Sequence, residues 1–274
     1  MILNQVTNSE GLESILVVDN LSVSRSGKLI ISDINLKVSR GEFIGLVGPN
    51  GSGKSTFILS ILGILKPHTG VITIYDEKPM SKNNFGKLGW VSQAAANLPK
   101  NIKITVRELV KLGTLKSTSM YKKVPNQKEK VDAALKMVGM EDVADCNIAR
   151  LSGGQRQRAV IARALASEAE FILLDEPLVG IDRDSRNSLL KLLDKLCHEQ
   201  EKTILMVSHD ITAIRQTAHR MVYLEETIRY DGPTEEFPDL TSLATLRGIP
   251  PVHDDKHTIG PHDHKKCMEE ESWA

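Results

Sequence analysis

Residues 48–56 read Gly48-Pro49-Asn50-Gly51-Ser52-Gly53-Lys54-Ser55-Thr56, and this stretch decides the fold. It follows the apolar run 43–47 and precedes a second apolar run that reaches residue 65, which is the order strand, glycine loop, helix. The stretch fits the P-loop pattern, in which two glycines, a lysine and a serine or threonine hold fixed places. The alternative is a surface turn ahead of a helix, but the flanking strand and helix are the context that the motif requires.

The residue types of this loop suit the binding of phosphate. Glycines let successive backbone N–H groups turn inward without a Cβ clash and so form a nest for anionic oxygens. The helix that begins near Gly53 directs the positive end of its dipole at the same oxygens. Lys54 adds a positive charge for the β- and γ-phosphates, and the Ser55 hydroxyl can bind Mg²⁺. The sequence therefore predicts a nucleotide phosphate at residues 48–56.

The composition argues against several classes of protein, namely nucleic-acid-binding, disulfide-rich, membrane-spanning and secreted proteins. The 35 Lys and Arg residues balance 35 Asp and Glu residues, so no net charge attracts nucleic acid and we expect no nucleic-acid partner. The three cysteines are scattered and odd in number, which favours a reducing compartment over a disulfide framework. No apolar run is long enough to span a membrane, and no secretory signal is evident. We expect a cytoplasmic chain that can still dock on a membrane protein.

The order of the predicted elements indicates an α/β fold. Short strands at 15–18, 21–23 and 34–38 lead into the P-loop, and the alternating pattern of the last is typical of a half-buried antiparallel strand. Residues 94–150 change in character and are predicted to form a helical subdomain inserted into the core. After residue 151, strands alternate with helices, and one of these helices is predicted at 212–219, which implies a mostly parallel sheet covered on both faces.

This order predicts a P-loop NTPase core with a mostly parallel sheet, an antiparallel β subdomain and the inserted helical subdomain. We expect one domain at 14–240 and a C-terminal extension at 241–274. The apolar content falls sharply beyond residue 250, so residues 253–274 are expected to be a flexible tail.

A second motif narrows the chemistry. The apolar strand 171–174 ends in the carboxylates Asp175 and Glu176. At the carboxyl end of a strand in a parallel sheet these acids lie at the ligand crevice. Asp175 would hold Mg²⁺ directly or through water, and Glu176 would face the γ-phosphate and polarise the attacking water. A chance pair of acids at a strand end is the alternative, and it is weak beside a P-loop.

A third motif, Leu151-Ser152-Gly153-Gly154-Gln155, lies between the other two. A Ser-Gly-Gly run that opens a helix is a second anion-binding nest. Two phosphate cradles in one chain suggest that one of them serves a neighbouring chain's nucleotide. Taken alone, the run could be the N-cap of a helix, but its position about twenty residues before the acidic strand argues against that interpretation.

With these residues the sequence resembles the ATP-binding-cassette ATPases over roughly residues 14–240. Residues 151–155 match the signature sequence of that family. Gln93 matches its Q-loop glutamine, Asp182 its D-loop aspartate and His209 its switch histidine. These motifs stand in the order that the family has.

The resemblance implies a mechanism in which two copies of the chain pair head to tail around ATP and Mg²⁺. Ser152 and Gly154 would donate to a γ-phosphate bound by the partner's P-loop, and Gly153 and Gln155 belong to the same signature. His209 would contact the γ-phosphate, and Gln93 would reach Mg²⁺ or the water. Asp182 would couple the two sites across the dimer.

One position departs from the family pattern. The family usually stacks an aromatic residue on adenine, and Arg25 occupies that position here, within Ser24-Arg25-Ser26-Gly27. A guanidinium plane can stack on a base. The alternative is an exposed turn residue, with adenine held elsewhere.

Weaker resemblances point to a substrate. Residues 88–93, 104–108 and 207–233 look similar to the ATPases of zinc and manganese importers. This implies a membrane permease, an extracytoplasmic substrate-binding protein and a peripheral place on the cytoplasmic face of the membrane. Importers of iron chelates or cobalamin stay open, as does a non-transport ATPase such as an iron–sulfur assembly factor.

The tail carries five further candidate metal ligands among aspartates, and imidazole and thiolate suit Zn²⁺. They are His253, His257, His262, His264 and Cys267. Their spacing follows no defined zinc motif, so they could also be simple polar residues.

Overall fold

The glycine-rich loop lies between a buried strand and a helix. In the computed structural model, which describes residues 13–95, 103–115 and 124–238, β3 (Phe43–Val47) precedes the loop and α1 (Lys54–Ile61) follows it. Every residue of β3 is buried, because the strand has a parallel neighbour on each side. The strand–loop–helix order predicted from the sequence is therefore confirmed.

The main sheet has six strands in the order β5-β6-β7-β3-β8-β9. The first five run parallel, and β9 pairs antiparallel with β8 as a closing hairpin. The mostly parallel sheet is thus as predicted. The bounds of the five strands that join β3 are β5 (Leu88–Val91), β6 (Phe171–Asp175), β7 (Thr203–Val207), β8 (Arg220–Glu225) and β9 (Thr227–Pro233).

A smaller antiparallel sheet has the order β2-β1-β4. Its strands are β1 (Ser14–Arg25), β2 (Lys28–Ser39) and β4 (Thr69–Ile74). The prediction of two short strands at 15–18 and 21–23 is wrong, because one strand runs through both. The polar break at Asn20 is a register shift rather than a strand end, since the Asn20 N–H donates to Asn35 Oδ1 across the sheet at 2.9 Å.

Helices cover the main sheet and extend from it. Their bounds are α2 (Val106–Leu112), α3 (Gln127–Val138), α4 (Gly153–Leu165), α5 (Arg183–Gln200) and α6 (Ile211–Arg215). Helices α2 and α3 pack against each other and against α4. The buried stripe of α3, at Val131, Leu135 and Val138, has the helical spacing seen in the sequence. In the part of the chain that the structure describes, no helix is long and apolar enough to cross a membrane.

Helix α6 is shorter than the predicted helix at 212–219. The chain leaves it because His219 already belongs to the approach to β8, where its N–H donates to Phe43 O at 2.9 Å. In turn the Phe43 N–H donates to His219 Nδ1 at 3.2 Å. Burial first, and then the neighbouring His198, lower the pKa of His219. A neutral His219 therefore holds the start of the strand that carries the glycine-rich loop.

One apolar cluster joins the antiparallel sheet, α1 and the main sheet. Phe57 of α1 is 1% exposed and belongs to this cluster, and α1 contacts β1 and β2 of the antiparallel sheet and β6 of the main sheet. The helix is therefore fixed from two sides, and the loop at its N-terminus has a single position relative to β3. The described residues up to Phe237 belong to this unit, and a second unit begins at Pro238, the last described residue.

Candidate active site

The sheet brings four of the predicted motifs to one edge. Strands β5, β6, β7 and β3 are consecutive neighbours, and all four run in the same direction. In the register, Asp175 lies opposite Val207, and Val207 lies opposite Leu46. Gln93, the acidic pair, His209 and the P-loop therefore follow the carboxyl ends of adjacent strands, which is where α/β sheets bind ligands.

Two glycines of the P-loop occupy positions that admit no side chain. A Cβ on Gly48 would lie 2.1 Å from the carbonyl oxygen of Leu224. A Cβ on Gly53 would lie 2.2 Å from Ile31 Cγ2, and its φ of +101° is one that L-residues rarely adopt. The loop conformation is thus set by close packing against β8 and β2 as well as by its own sequence.

Lys54 closes the loop from inside. Its Nζ donates to the carbonyl oxygens of Gly48 and Pro49 at 2.8 and 2.9 Å, and the residue is 7% exposed. Burial lowers its pKa, while the carboxylates of Glu176 and Asp175 act in the opposite direction. The acids therefore favour the charged ammonium that phosphate binding requires.

The surroundings of the loop fit a bound phosphate. Ser52 is 4% exposed, and its buried Oγ has no hydrogen-bond partner among the residues that the structure describes. Residues Asn50, Gly51 and Ser55 are exposed at the rim, whereas Thr56 is buried. A buried hydroxyl without a partner is costly unless a ligand completes it. The loop thus offers a hydroxyl, an ammonium and a helix N-terminus to one anionic group.

Asp175 and Glu176 differ in environment, although they are adjacent in sequence. Asp175 is buried at the end of β6, and burial, followed by the charge of Glu176, raises its pKa, whereas Lys54 lowers it. Glu176 has a φ of +51°, and its N–H donates to the carbonyl oxygen of Val207 at 3.0 Å. A left-handed conformation at a non-glycine residue stores strain and is often found at functional sites.

His209 is next to Glu176 in space. Its Nδ1 lies 2.9 Å from Glu176 Oε2, and its side chain is 63% exposed. On the preceding residue, the Ser208 N–H donates to the carbonyl oxygen of Leu46 at 3.2 Å, which ties the histidine loop to the strand before the P-loop. The structure therefore brings a base candidate and a histidine together beside the phosphate loop. Gln93 is exposed two residues past β5.

The Ser152–Gln155 segment lies at the start of α4 and forms a capping box. The Gln155 N–H donates to Ser152 Oγ at 3.2 Å, and the Ser152 N–H donates to Gln155 Oε1 at 3.0 Å. The Ser152 oxygen thus accepts from its own helix, while its hydroxyl proton is left for another acceptor. Within the described ranges, no hydrogen bond joins this segment to residues 48–56.

Close packing explains the two glycines of that segment. A Cβ on Gly153 would lie 3.1 Å from the carbonyl oxygen of Gly180, and one on Gly154 would lie 2.5 Å from Ser185 Cβ. Asp182 caps α5, since the Ser185 N–H donates to its Oδ1 at 2.9 Å, and this bond lowers the pKa of Asp182. The starts of α4 and α5 are therefore in direct contact.

Arg25 is the last residue of β1 and precedes the two-residue hairpin loop Ser26-Gly27 that leads to β2. Ser26 and Gly27 both have positive φ, at 50° and 79°, as such tight hairpins require. The Arg25 side chain is exposed. Its stacking on adenine stays a prediction.

Sequence reasoning missed the residues that support the site from other elements. Glu226, in the turn between β8 and β9, donates its N–H to Ser52 O at 3.2 Å and accepts from the Ser32 N–H at 2.8 Å. Arg186 of α5 pairs with Asp210, next to His209, at 2.6 Å. The Glu226 contacts are made by backbone atoms, so they cannot be predicted from the residue type. Asp210 directly follows Ser208 and His209 in sequence, and this position is the signal that could have indicated its supporting role.

In the part of the chain that the structure describes, no group of three or more His, Cys, Asp or Glu residues could hold a metal ion. The histidines and the cysteine of the predicted tail, 253–274, lie outside the described residues.

The chain is similar to known proteins along most of its length. Residues 31–179 match the family model described as ABC transporter. The chain is 39% identical to the zinc uptake system ATP-binding protein ZurA of Listeria innocua, over 82% of this chain and 88% of that protein. It is 35% identical to the manganese transport system ATP-binding protein MntB of Halalkalibacterium halodurans, over the same shares.

Among solved structures, one neighbour is the dimeric post-hydrolysis state of the ATP-binding cassette MJ0796 bound to ADP and Pi. The identity is 30% and the TM-score is 0.67, over 81% of this chain and 100% of that one.

Proposed function

The chain belongs to the ABC transporter family, and we propose that its ATP hydrolysis energises the import of a divalent metal ion, zinc or manganese, through a membrane permease. The family membership that these sequence motifs indicated is confirmed, and with it the assignment as an ATPase. The proposal adds the cargo and the direction of transport.

Similarity to metal uptake proteins carries the choice of cargo. A relative named for zinc uptake and one named for manganese transport each match about four fifths of the chain, at 39% and 35% identity. The relatives do not agree on one ion, so the proposal names both.

The site supports ATP hydrolysis by positioning and charge. Lys54, the loop N–H groups and the Ser52 hydroxyl bind the phosphates. Glu176 accepts a hydrogen bond from the attacking water and polarises it, while His209 holds the Glu176 carboxylate in place from 2.9 Å. Because the groups are fixed beforehand by strand ends and close packing, little reorganisation is needed when charge develops.

Mg²⁺ fits the residues at the same edge. Ser55, Asp175 and Gln93 offer the oxygen ligands that this ion prefers. When bound, Mg²⁺ neutralises charge on the β- and γ-phosphate oxygens. The pKa of Asp175, raised by burial, favours a nearby cation that restores its ionised form.

A head-to-tail dimer completes the site. Residues Ser152 and Gly154 of one copy would donate to the γ-phosphate held by Lys54 of the other, and Asp182 would couple the two sites. The absence of hydrogen bonds between residues 152–155 and the described P-loop of the same chain supports this arrangement. The dimeric cassette MJ0796 supports it as well.

The remaining parts of the proposal concern partners and place. A membrane permease and an extracytoplasmic substrate-binding protein would complete the importer, with this chain peripheral on the cytoplasmic face of the membrane. The ATPase domain would span residues 14–240, with a C-terminal extension at 241–274.

The test is metal uptake in a bacterial strain that lacks its own zinc and manganese import ATPases. The chain is expressed with its permease, and uptake of labelled Zn²⁺ and Mn²⁺ is measured beside the matched variant Glu176→Gln. We expect uptake with the wild type and none with the variant. Equal uptake by the wild type and the variant would overturn the energising role of ATP hydrolysis, and uptake of an iron chelate or cobalamin instead of either ion would overturn the proposed cargo. Co-purification with the permease separates transport from a role in iron–sulfur assembly.

A further inference from the structure

One ion pair joins the start of α5 to the histidine loop. Arg186 Nη1 lies 2.6 Å from Asp210 Oδ2. Arg186 sits in the first turn of α5, where its N–H donates to the carbonyl oxygen of Asp182 at 2.9 Å. Asp210 directly follows His209 in the chain. The pair thus links the segment that begins at Asp182 to the residue beside the histidine.

Asp210 is held on three sides. Its Oδ1 accepts from the Ala213 N–H at 3.0 Å and caps α6, and its own N–H donates to Ser208 Oγ at 3.0 Å. The other carboxylate oxygen accepts from Arg186. Two of these contacts are made within the loop and α6, so the contact with Arg186 joins them to α5.

His209 depends on this loop for its position. Its side chain is 63% exposed, and its one hydrogen-bond partner within the described ranges is Glu176. Little packing restrains the ring, so its orientation follows the backbone at 208–210. On one side the Ser208 N–H bonds to β3, and on the other Arg186 holds Asp210.

The same first turn of α5 contacts the start of α4. Gly154 approaches Ser185 so closely that an added Cβ would lie 2.5 Å from Ser185 Cβ. Ser185 precedes Arg186. A displacement of the Ser152–Gln155 segment therefore moves the start of α5 as well, because close-packed contacts do not deform continuously.

We propose that Arg186 and Asp210 are a positioning pair that couples the two nucleotide sites of the dimer. The inference rests on the head-to-tail dimer of the proposed function. The Ser152 segment serves the partner's nucleotide, whereas His209 and Glu176 serve the chain's own. The path from one to the other runs from Gly154 to Ser185 and Arg186, then to Asp210 and His209. The pair holds the histidine loop in a fixed position relative to the start of α5, so that the position of His209 follows that of the Ser152 segment.

The pair is suited to a switch because it is accessible to water. Arg186 is 39% exposed and Asp210 is 25% exposed, and both line an open groove between α5 and α6. An ion pair in such a place contributes little to stability and can re-form readily. Its role in positioning can therefore be separated from a role in folding.

The experiment uses a double-mutant cycle in the full chain with Arg186→Met and Asp210→Asn. Asparagine keeps the oxygen that caps α6 and removes the charge, so α6 is retained. The matched control is Arg183→Met, which removes an exposed arginine of the same helix that lines the same groove. Steady-state kcat, KM for ATP, the Hill coefficient, nucleotide affinity and the melting temperature are measured for each.

We expect each single variant to lower kcat on the order of tenfold, the cost of a small misplacement of a catalytic group. The Hill coefficient should fall toward one, with nucleotide affinity and melting temperature as in the control. The double variant should be no worse than either single variant, and Arg186→Lys should retain most of the activity because the contact joins one nitrogen to one oxygen.

Three results would overturn the inference. They are a kcat unchanged from that of Arg183→Met, additive losses in the double variant, and losses that follow the melting temperature. The dimer proposal is tested separately, by gel filtration of Glu176→Gln in the presence of ATP. If that variant stays monomeric, the dimer and the coupling both fail. If it dimerises and Arg186→Met keeps a normal kcat, only the coupling fails. Metal uptake plays no part in these readouts.

Discussion

From the contact between α4 and α5 we predict that Gly154→Ala lowers the stability of the folded chain even when no nucleotide is bound. The new Cβ would lie 2.5 Å from Ser185 Cβ and 2.7 Å from Ser185 Oγ. Carbon atoms prefer separations of about 3.5–4.0 Å, so the helices must part by about 1 Å. We therefore expect the substitution to act through packing.

The magnitude follows from two opposing effects. Overpacking of this kind costs about 1–3 kcal/mol. Replacing glycine by alanine in a helix returns about 1 kcal/mol. The net loss is about 0–2 kcal/mol, and at ~2–4 °C per kcal/mol for a domain of this size the melting temperature should fall by up to about 8 °C.

A compensating substitution makes the assay specific. Ser185→Gly removes both clashing atoms and leaves Ser185 Cα at 3.7 Å, which is ordinary contact. Melting curves and ATP turnover are measured for the two single variants and the double variant. We expect a coupling of about 1–3 kcal/mol that favours the double variant.

Two outcomes would contradict this reasoning. The first is a melting temperature of Gly154→Ala above that of the wild type. The second is a double variant that is as unstable as the sum of the single variants. If stability returns in the double variant while turnover stays lost, the backbone at 154 acts on phosphate directly, as the dimer proposal requires.

Four further substitutions or conditions test other parts of the site and fold. Lys54→Ala should weaken ATP binding about 10- to 100-fold through loss of a charge-assisted hydrogen bond, and an unchanged affinity in a fluorescent-nucleotide titration would refute that role. Glu176→Gln should bind ATP, stall before hydrolysis and accumulate a dimer on gel filtration, and wild-type turnover in this variant would show that another group polarises the water. The pKa of His219 is lowered by burial, so the stability it supports is present above about pH 6.5 and is lost as the pH falls through its folded pKa. Urea unfolding at descending pH should show this loss, and His219→Gln, whose amide oxygen can still accept from Phe43, should flatten the profile. Deletion of residues 253–274 should leave ATPase activity intact, and isothermal titration of Zn²⁺ into both forms shows whether any saturable binding depends on the tail.

The strongest sequence predictions were those in which one short window carries both the residues and their context. Gly48 to Thr56 required a strand before it and a helix after it, and both are present. The carboxylates after an apolar run implied the carboxyl end of a strand in a parallel sheet, and Asp175 lies at such a strand end. These predictions succeed because local backbone conformation and the strand end are encoded within about ten residues.

Predictions that needed pairing between distant segments were weaker. The polar residues near Asn20 looked like a strand end, yet pairing with β2 and β4 carries the strand through them. The helix predicted at 212–219 ends early because the His219 N–H donates to the carbonyl oxygen of Phe43, which is far away in sequence. In each case tertiary hydrogen bonds outweighed the local pattern.

The sequence by itself determined the chemical groups of this protein: the phosphate loop, the acidic pair, the glutamine, the histidine and the segment that opens α4. Only the tertiary structure decided that strands β5, β6, β7 and β3 are neighbours, that Arg186 reaches Asp210, and that a backbone turn at Glu226 supports Ser52. The reason is physical. A motif is a property of adjacent residues, whereas strand order and helix contacts depend on the packing of apolar surfaces across the whole chain, and backbone hydrogen bonds leave no mark on residue type.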